Sequence, residues 1–473
     1  MKNLKDRINQ HPKDSVAIRY LESDNERIIT YGEFKDDIER FWILMDKCNM
    51  GDSKIAIVGL NSYSWLIAYY SIVVSGSVAI PLDVKNAKFD YNDIKNEFDY
   101  IFLDTNLIEE SLLEQDFHNR YFYLDNLVDM LHNYSTKYAV KKEINNANTS
   151  TILFTSGTTG KRKGVMISND IRTLTSNSTL QAVNQTTAIV SSKTTFYLML
   201  PLHAGYTLFN VEMIFNVGGT VIISKGPRYY EMELNIFKPS LIATVPLEME
   251  YFWHKYTKNP SYFGNILPVL WSSGAALSPE IAKNFCQKGF TVLTVYGSSE
   301  GSLISLNILK GADSKFDSVG KPIPGINIVI LSNEIAIKGD SLCLGYVNAE
   351  SPINEDGWFL TGDMGYMDND GYLFINGRKK NVIIFSNGFN IYPETIEEII
   401  LTASNSIDEI VIQANMQNET LNAELYGYKI DQDDVKHSIE NYNKSAPEYK
   451  RITSWKIRNT PFSRNSLNKI IRN

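Results

Sequence analysis

The stretch "IAIVGLNSYSWLIAYYSIVVSGSVAIPLD", residues 55–83, decides how the chain folds. No charged residue occurs from position 55 to position 82. A run of that length exceeds the roughly 20 apolar residues of a membrane-spanning helix. It divides better into three pieces. "IAIVGL" is a short apolar run. "NSYSWLIAYYSIVVSG" has the length of a helix, with Asn61 or Ser62 as its cap and Gly76 as its stop. "SVAIPLD" is a second strand, with Pro81 near its end. Strand, helix, strand with apolar strands is a βαβ unit buried on both faces.

The same alternation recurs outward from this unit. "YIFLD" (100–104), "TILFT" (151–155), "TFYLMLPL" (195–202), "GGTVIIS" (218–224), "LIATVP" (241–246), "PVLWSSG" (268–274) and "TVLTVYG" (291–297) read as strands. Helical stretches lie between several of them. The expected fold class is α/β, with a large N-terminal domain of parallel-rich sheets flanked by helices. From about Gly320 the segments shorten into a turn-rich β subdomain, and "DNDGY" turns between two β runs. After Arg378 comes a small α+β unit: "VIIF", a helix from about Pro393, "IDEIVIQ", a polar helix "DQDDVKHSIENYN" and a last strand "TSWKIRN". The expected domains are residues 1–378 and 379–473.

Composition sets the class. The chain has 473 residues, 43% of them hydrophobic and 21% charged, as in soluble globular proteins. A net charge of −8 leans away from nucleic-acid partners. Cys48, Cys286 and Cys343 are odd in number, far apart and form no C-x-x-C pair. That argues against a disulfide scaffold or a zinc site and fits a reducing compartment. The polar start "MKNLKDRINQHPKD" lacks a signal-peptide run. A cytoplasmic protein without a transmembrane segment is expected.

Five motifs carry chemistry. "FTSGTTGKRKG" (154–164) packs glycines, hydroxyls and cations directly after a strand, as a phosphate-holding loop does. It is not a Walker loop, because Thr155 stands where that pattern needs glycine. "VYGSSEG" matches G-x-S-x-G, which would make Ser299 a hydrolase nucleophile. However, the following "SLISLNIL" alternates like a strand, and the only later histidine is His437. Glu300 in the same motif is a candidate Mg2+ ligand at phosphates. Asp363 in "GWFLTGDMGY" suits two ribose hydroxyls, or simply an Asx turn. "GRKKNVIIFSNGFNIYPETIEE" places Arg378 to Lys380 at the domain boundary. "TPFSRNSLNKIIRN" carries Lys469 in the tail.

In this order the five motifs resemble those of the adenylate-forming superfamily of acyl-CoA synthetases, luciferases and adenylation domains. The resemblance spans residues 29–473. "IAIVGLNSYSWLIAYYSIVVSGSVAIPLD", "LPLHAGYTLFN" and "GRKKNVIIFSNGFNIYPE" look most like fatty acyl-CoA synthetases. The absence of an aspartate in "HAGYT" points to a neutral acyl acid, not an amino acid.

The resemblance implies a two-step reaction. A carboxylate and ATP give acyl-AMP and pyrophosphate; a thiol then takes the acyl group. Coenzyme A is the expected acceptor, a carrier-protein phosphopantetheine the alternative, and an acyl carrier protein then a partner beside the small-molecule acid. Lys469 would be catalytic, Glu300 would hold Mg2+, and Ser299 stands in the same motif. ATP or AMP would be bound by Thr155, Ser156, Gly157, Thr158, Thr159, Gly160 and Lys163, by Gly274, Ala275 and Ala276, by Tyr296, Gly297 and Ser298, and by Asp363 and Arg378. Tyr296 would stack on adenine. Lys380 would be the hinge. Ser386, Gly388, Phe389 and Asn390 would line the thiol tunnel, and His203, Tyr206 and Trp271 the acyl pocket. Ser299 replaces a usual threonine, Asn468 a glycine, Ser463 a proline and Ala276 a proline.

Overall fold

Residues 55–83 fold as strand, helix and strand. Lys54–Val58 and Val78–Leu82 pair in parallel, and the helix Tyr63–Ser75 crosses between them. Ser62 caps it by accepting from the Trp65 amide at 3.1 Å. Gly76 ends it in the left-handed region at φ 86°, where a side chain would be strained. The helix is about 20 Å long, short of the roughly 30 Å hydrocarbon core of a bilayer. Among the described residues no helix is long and apolar enough to cross a membrane.

The computed structural model describes the chain apart from residues 1–7, 9, 24, 85–94, 106, 109, 119, 132–133, 135–144, 156–162, 186–187, 348, 387–389, 465–469, 471 and 473. The expected site residues Ser156, Gly157, Thr158, Thr159, Gly160, Gly388, Phe389 and Lys469 therefore lie outside the described residues.

Why the Tyr63–Ser75 helix carries no charge is now physical. Every residue of it but Ser64 is buried. Tyr69 meets Thr151 of the strand Thr149–Thr155 through its hydroxyl at 3.0 Å. On the other side, the Tyr70 ring lies edge-on to Phe215, 5.6 Å between centroids. Phe215 belongs to the helix Gly205–Val217, which packs on a second sheet. A helix apolar all round is one enclosed by protein.

The two sheets are mixed, with parallel centres. One has seven strands, ordered Gly345–Tyr346, Lys163–Ser168, Thr149–Thr155, Val78–Leu82, Lys54–Val58, Tyr100–Leu103, Tyr121–Tyr123. The other has nine: Lys321–Pro322, Ser302–Leu309, Val292–Ser298, Val269–Ser272, Leu241–Thr244, Thr195–Leu198, Thr220–Ile223, Val16–Glu22, Asn25–Thr30. Its middle strands run parallel, so their C-terminal ends share one edge. Ligand crevices in open α/β sheets form at such edges.

The later part is an antiparallel four-stranded sheet, Ile326–Leu331, Glu334–Gly339, Phe359–Met367 and Leu373–Arg378. At the "DNDGY" turn the Asp368 carboxylate accepts the amides of Asp370 and Tyr372 at 3.0 and 2.8 Å. Beyond it, residues from Phe385 to Ile452 build a core of their own. Helices Pro393–Ala403 and Gln432–Ser445 contribute to it, with the sheet Glu409–Asn415, Thr420–Tyr426, Ile452–Ile457.

Three details differ from the sequence reading. The middle strand of that last sheet, Thr420–Tyr426, was not anticipated, because its three buried apolar residues alternate within a long polar stretch. The N-terminal hairpin Val16–Glu22/Asn25–Thr30 extends the nine-stranded sheet. "TFYLMLPL" forms only the short strand Thr195–Leu198, since Pro201 cannot donate to a ladder and the chain turns there.

Candidate functional site

Two hairpins and a turn build the site. The strand Thr149–Thr155 runs antiparallel to Lys163–Ser168, and Thr155 faces Lys163 as their last paired residues. The phosphate-loop motif thus begins and ends on these two paired strands. The strands Val292–Ser298 and Ser302–Leu309 form the second hairpin, with Ser299 and Glu300 at its tip. A nucleophile elbow needs strand, turn and helix. Here a strand follows, so Ser299 lacks the elbow's context. Ser298 closes the tip by accepting the Gly301 amide at 2.9 Å.

Tyr346 joins the two hairpins. Its hydroxyl donates to Glu300 Oε1 at 2.8 Å, and Lys163 Nζ sits 4.9 Å from the centre of its ring. Its strand, Gly345–Tyr346, pairs with Lys163–Ser168. Burial, then the Glu300 charge, pushes its phenol above the ordinary tyrosine value, so it stays a donor. Sequence reading missed this residue, although "SLCLGY" ends on it. Tyr346→Phe removes one donor to a carboxylate while keeping the ring. Its pyrophosphate-releasing kcat/KM with ATP and Mg2+ is expected to fall about fivefold, ~1 kcal/mol. Unchanged kinetics and an unchanged Mg2+ requirement would remove Tyr346 from the site.

Four residues before Glu300, Tyr296 reaches the other way. Its hydroxyl donates to Asp363 Oδ2 at 2.6 Å, and Arg378 Nε lies 2.8 Å from Asp363 Oδ1. Asp363 and Arg378 face each other in register on Phe359–Met367 and Leu373–Arg378. Burial, reinforced by Asp363, holds the Tyr296 phenol well above its usual value. The ring is 8% exposed, so in this arrangement Tyr296 contributes its hydroxyl more than an open face. Asp363 is buried.

The turn before Asp363 has its own support. Gly362 takes φ 73°, a conformation that favours glycine. Its amide donates to Glu334 Oε1 at 3.1 Å, and Lys379 Nζ binds Glu334 Oε2 at 2.6 Å. Glu334, missed in the sequence, ties the Asp363 turn to Lys379 of the expected boundary. Lys380 itself is exposed, in a single 3-10 turn, Lys379–Asn381.

The remaining expected residues lie around the same edge. Ser273, Gly274, Ala275 and Ala276 follow the strand Val269–Ser272, and Gly274 has φ 91°. Tyr206 donates to the Trp271 carbonyl at 3.0 Å. Trp271 is fully buried in the main core, so its side chain packs and does not line an open wall. His203 Nε2 lies 3.9 Å from Asp83 Oδ1, which ends the stretch 55–83. Asn61 fastens that stretch to the same loop, donating to the Leu200 carbonyl and accepting the Leu202 amide. Ser386 donates to Glu419 through its amide and hydroxyl, at 2.8 and 2.7 Å. Asn390 pairs with Ile384.

The donor set fits an adenine nucleotide with Mg2+. Lys163 supplies a cation beside the loop, and Glu300 a carboxylate turned toward it through Tyr346. Mg2+ at phosphates takes one or two carboxylates and leaves other positions to phosphate and water. Among the described residues no group of three or more His, Cys, Asp or Glu could cage a metal alone.

A nucleotide-binding α/β fold of two sheets, an antiparallel sheet and a separate C-terminal core is therefore on hand. The family model of the AMP-binding enzymes matches residues 4–347, and the chain belongs to that family. This bears out the resemblance to the adenylate-forming superfamily and the α/β fold class. A 2-succinylbenzoate–CoA ligase of Bacillus cereus (strain ATCC 14579) is 25% identical over 387 residues, 74% of this chain and 72% of that one. An indoleacetate–CoA ligase of Aromatoleum aromaticum is 29% identical over 287 residues, 55% of this chain and 53% of that one. The chain is an enzyme of the AMP-forming acid–thiol ligase kind. In fold it matches the o-succinylbenzoate CoA synthetase of Bacillus subtilis in complex with its acyl-adenylate, at TM-score 0.84 and 22% identity, covering 99% of this chain and 97% of that one. ATP-bound MatB of Rhodopseudomonas palustris matches at TM-score 0.83 and 22% identity, with 99% and 97% covered.

Proposed function

We propose that this enzyme activates a carboxylic acid with an aromatic body to acyl-AMP, and then transfers the acyl group to coenzyme A. One observation carries the nucleotide half. Tyr296 and Glu300, at one hairpin tip, reach Asp363 and Tyr346 respectively. A single turn thereby joins a ribose-type carboxylate to the cation beside the phosphate loop.

Thr155, Ser156, Thr158, Thr159 and Lys163 grip the pyrophosphate end of ATP. Glu300 would hold Mg2+, which would neutralise phosphate charge. Asp363 takes the ribose hydroxyls, Arg378 supports ribose and phosphate, and Gly274 to Ala276 with Tyr296 border adenine. The attacking carboxylate and the α-phosphate are both anions, so Lys469 bridges them. Residues 1–378 and 379–473 act as two domains. Rotation about Lys380 then withdraws Lys469 and brings Ser386 to Asn390 toward the thiol, a lid-type change. His203 and Tyr206 border the acyl group.

The aromatic preference rests on the curated relatives, named for 2-succinylbenzoate and indoleacetate. The fatty acid suggested by the sequence stretches gives way to it. Coenzyme A as acceptor rests on the same names. A cytoplasmic setting completes the proposal, supported by the three free cysteines.

The test is pyrophosphate release across aryl, aryl-alkyl and fatty acids, run with coenzyme A and then with a carrier protein. Release with an aryl acid and coenzyme A supports the proposal. Turnover of fatty acids alone, or with a carrier protein alone, overturns its specific part. Ser299→Ala is expected to retain pyrophosphate release within about threefold, since a side chain at a hairpin tip lacks the strand–turn–helix context of an elbow nucleophile. Complete loss of turnover in that variant would revive the hydrolase reading.

A further inference from the structure

The turn that carries Asp363 is a break in a ladder. Glu334–Gly339 and Phe359–Met367 pair antiparallel, with Ala336 facing Leu360 and Glu334 facing Met364. Between those pairs Ile335 alone stands opposite Thr361, Gly362 and Asp363, so the second strand bulges there. A bulge bends its strand and re-aims a side chain, and bulges are over-represented beside active sites. It also takes amides out of the ladder, and each then needs an acceptor of its own.

Two side chains supply the acceptors. Glu334 Oε1 accepts the Gly362 amide, and Thr361 Oγ1 accepts the Asp363 amide, each at 3.1 Å. The Thr361 hydroxyl in turn donates at 2.8 Å to the carbonyl of Ile335, the residue left opposite the bulge. Glu334 is itself closely placed. It follows Ser332 and Asn333, both left-handed, at φ 49° and 65°. Leu331 pairs with Glu334 across them, the tight hairpin turn that fixes register. The Asn333 carbonyl accepts the Gly365 amide at 2.9 Å. The same turn therefore grips the bulged strand on both sides of Asp363.

A glutamate at this position carries a cost. Its side chain is only 8% exposed, and an enclosed carboxylate is unfavourable unless paired. Lys379 supplies the partner at 2.6 Å, from a side chain 62% exposed. In return the Gly362 amide meets a charged acceptor, which makes the stronger hydrogen bond. Tyr296 and Arg378 hold the Asp363 oxygens, while the bulge fixes the backbone from which that side chain starts. Hydrogen bonds weaken steeply as their geometry is lost, so a carboxylate that reads hydroxyls depends on both.

We propose that Glu334, with Thr361, positions Asp363 for ribose recognition by holding this bulge. This rests on the role given to Asp363 above. Both residues act through Asp363, so they are positioning residues.

The experiment compares ATP with 2′,3′-dideoxyATP, which lacks both ribose hydroxyls, by calorimetric binding to the full-length enzyme with Mg2+. The native chain is expected to prefer ATP about 100-fold, as hydrogen bonds to a charged acceptor give. Glu334→Ala should weaken ATP about 30-fold and 2′,3′-dideoxyATP by less than about threefold, so that the preference nearly vanishes. Glu334→Gln keeps an oxygen for the Gly362 amide and should recover most of the preference. A purely structural role would weaken both nucleotides alike. If Glu334→Ala is poorly folded, the thermal midpoint shows it, and Thr361→Val decides. That variant keeps the branched shape and should narrow the preference about tenfold. An unchanged preference, or equal weakening of both nucleotides, overturns the proposal. Asp363→Ala is run beside them. If Asp363→Ala loses the preference and the Glu334 and Thr361 variants keep it, the positioning role alone fails. If the native chain shows no preference, or Asp363→Ala keeps it, the ribose role of Asp363 fails, and the positioning with it.

Discussion

Lys469→Ala is expected to slow acyl-AMP formation by about 1,000-fold, ~4 kcal/mol, the upper end for one positioned electrostatic group. Thioester formation from supplied acyl-AMP should stay within about threefold of the native rate. The asymmetry follows from charge. In the first step a carboxylate approaches a phosphate, and two unit charges 4 Å apart oppose each other by roughly 4 kcal/mol near a protein surface. In the second step the carboxylate has become an anhydride, and that repulsion is gone. A cation needed only in the first step suits a residue carried on a separate domain. The two half-reactions, measured by pyrophosphate release and by thioester yield, check this. An equal fall in both would mean that Lys469 supports folding or both active arrangements, and the domain-rotation proposal would lose its main support.

The fold was legible where burial dictated residue type. The stretch 55–83 has no charge because its helix is enclosed on all sides, and Ser62 and Gly76 mark its ends. The site was legible where its residues sit in contiguous motifs. Tyr296, Glu300, Asp363 and Arg378 all come to one edge. What the sequence hid are residues that act across sheets. Tyr346 looks like the end of a short strand, yet it links Glu300 to Lys163. Glu334 looks like a charge in a turn, yet it holds both Gly362 and Lys379. Such partners are joined by folding alone, and no spacing rule announces them. Trp271 shows the converse. Its motif suggested a pocket wall, but alternation along its strand turns the side chain into the core.

The other large effect is on stability. Arg172 and Glu212 form an ion pair between the helices Asn169–Val183 and Gly205–Val217, and both are buried. Tyr69 donates to Glu212 at 3.2 Å and offers its ring face to Arg172 at 5.4 Å. The same Tyr69 meets Thr151, on the strand leading into the phosphate-loop motif. Arg172→Met leaves the Glu212 carboxylate buried and unpaired, which costs about 3–5 kcal/mol. Adding Glu212→Leu removes the stranded charge. That double variant should recover to within about 1 kcal/mol of native stability or exceed it, since buried ion pairs often do no better than apolar packing. Urea unfolding of the native chain and both variants checks both statements. A single variant within about 1 kcal/mol of native, or a double variant as weak as the single, would show that water reaches this pair and that the helix interface is looser than its geometry implies.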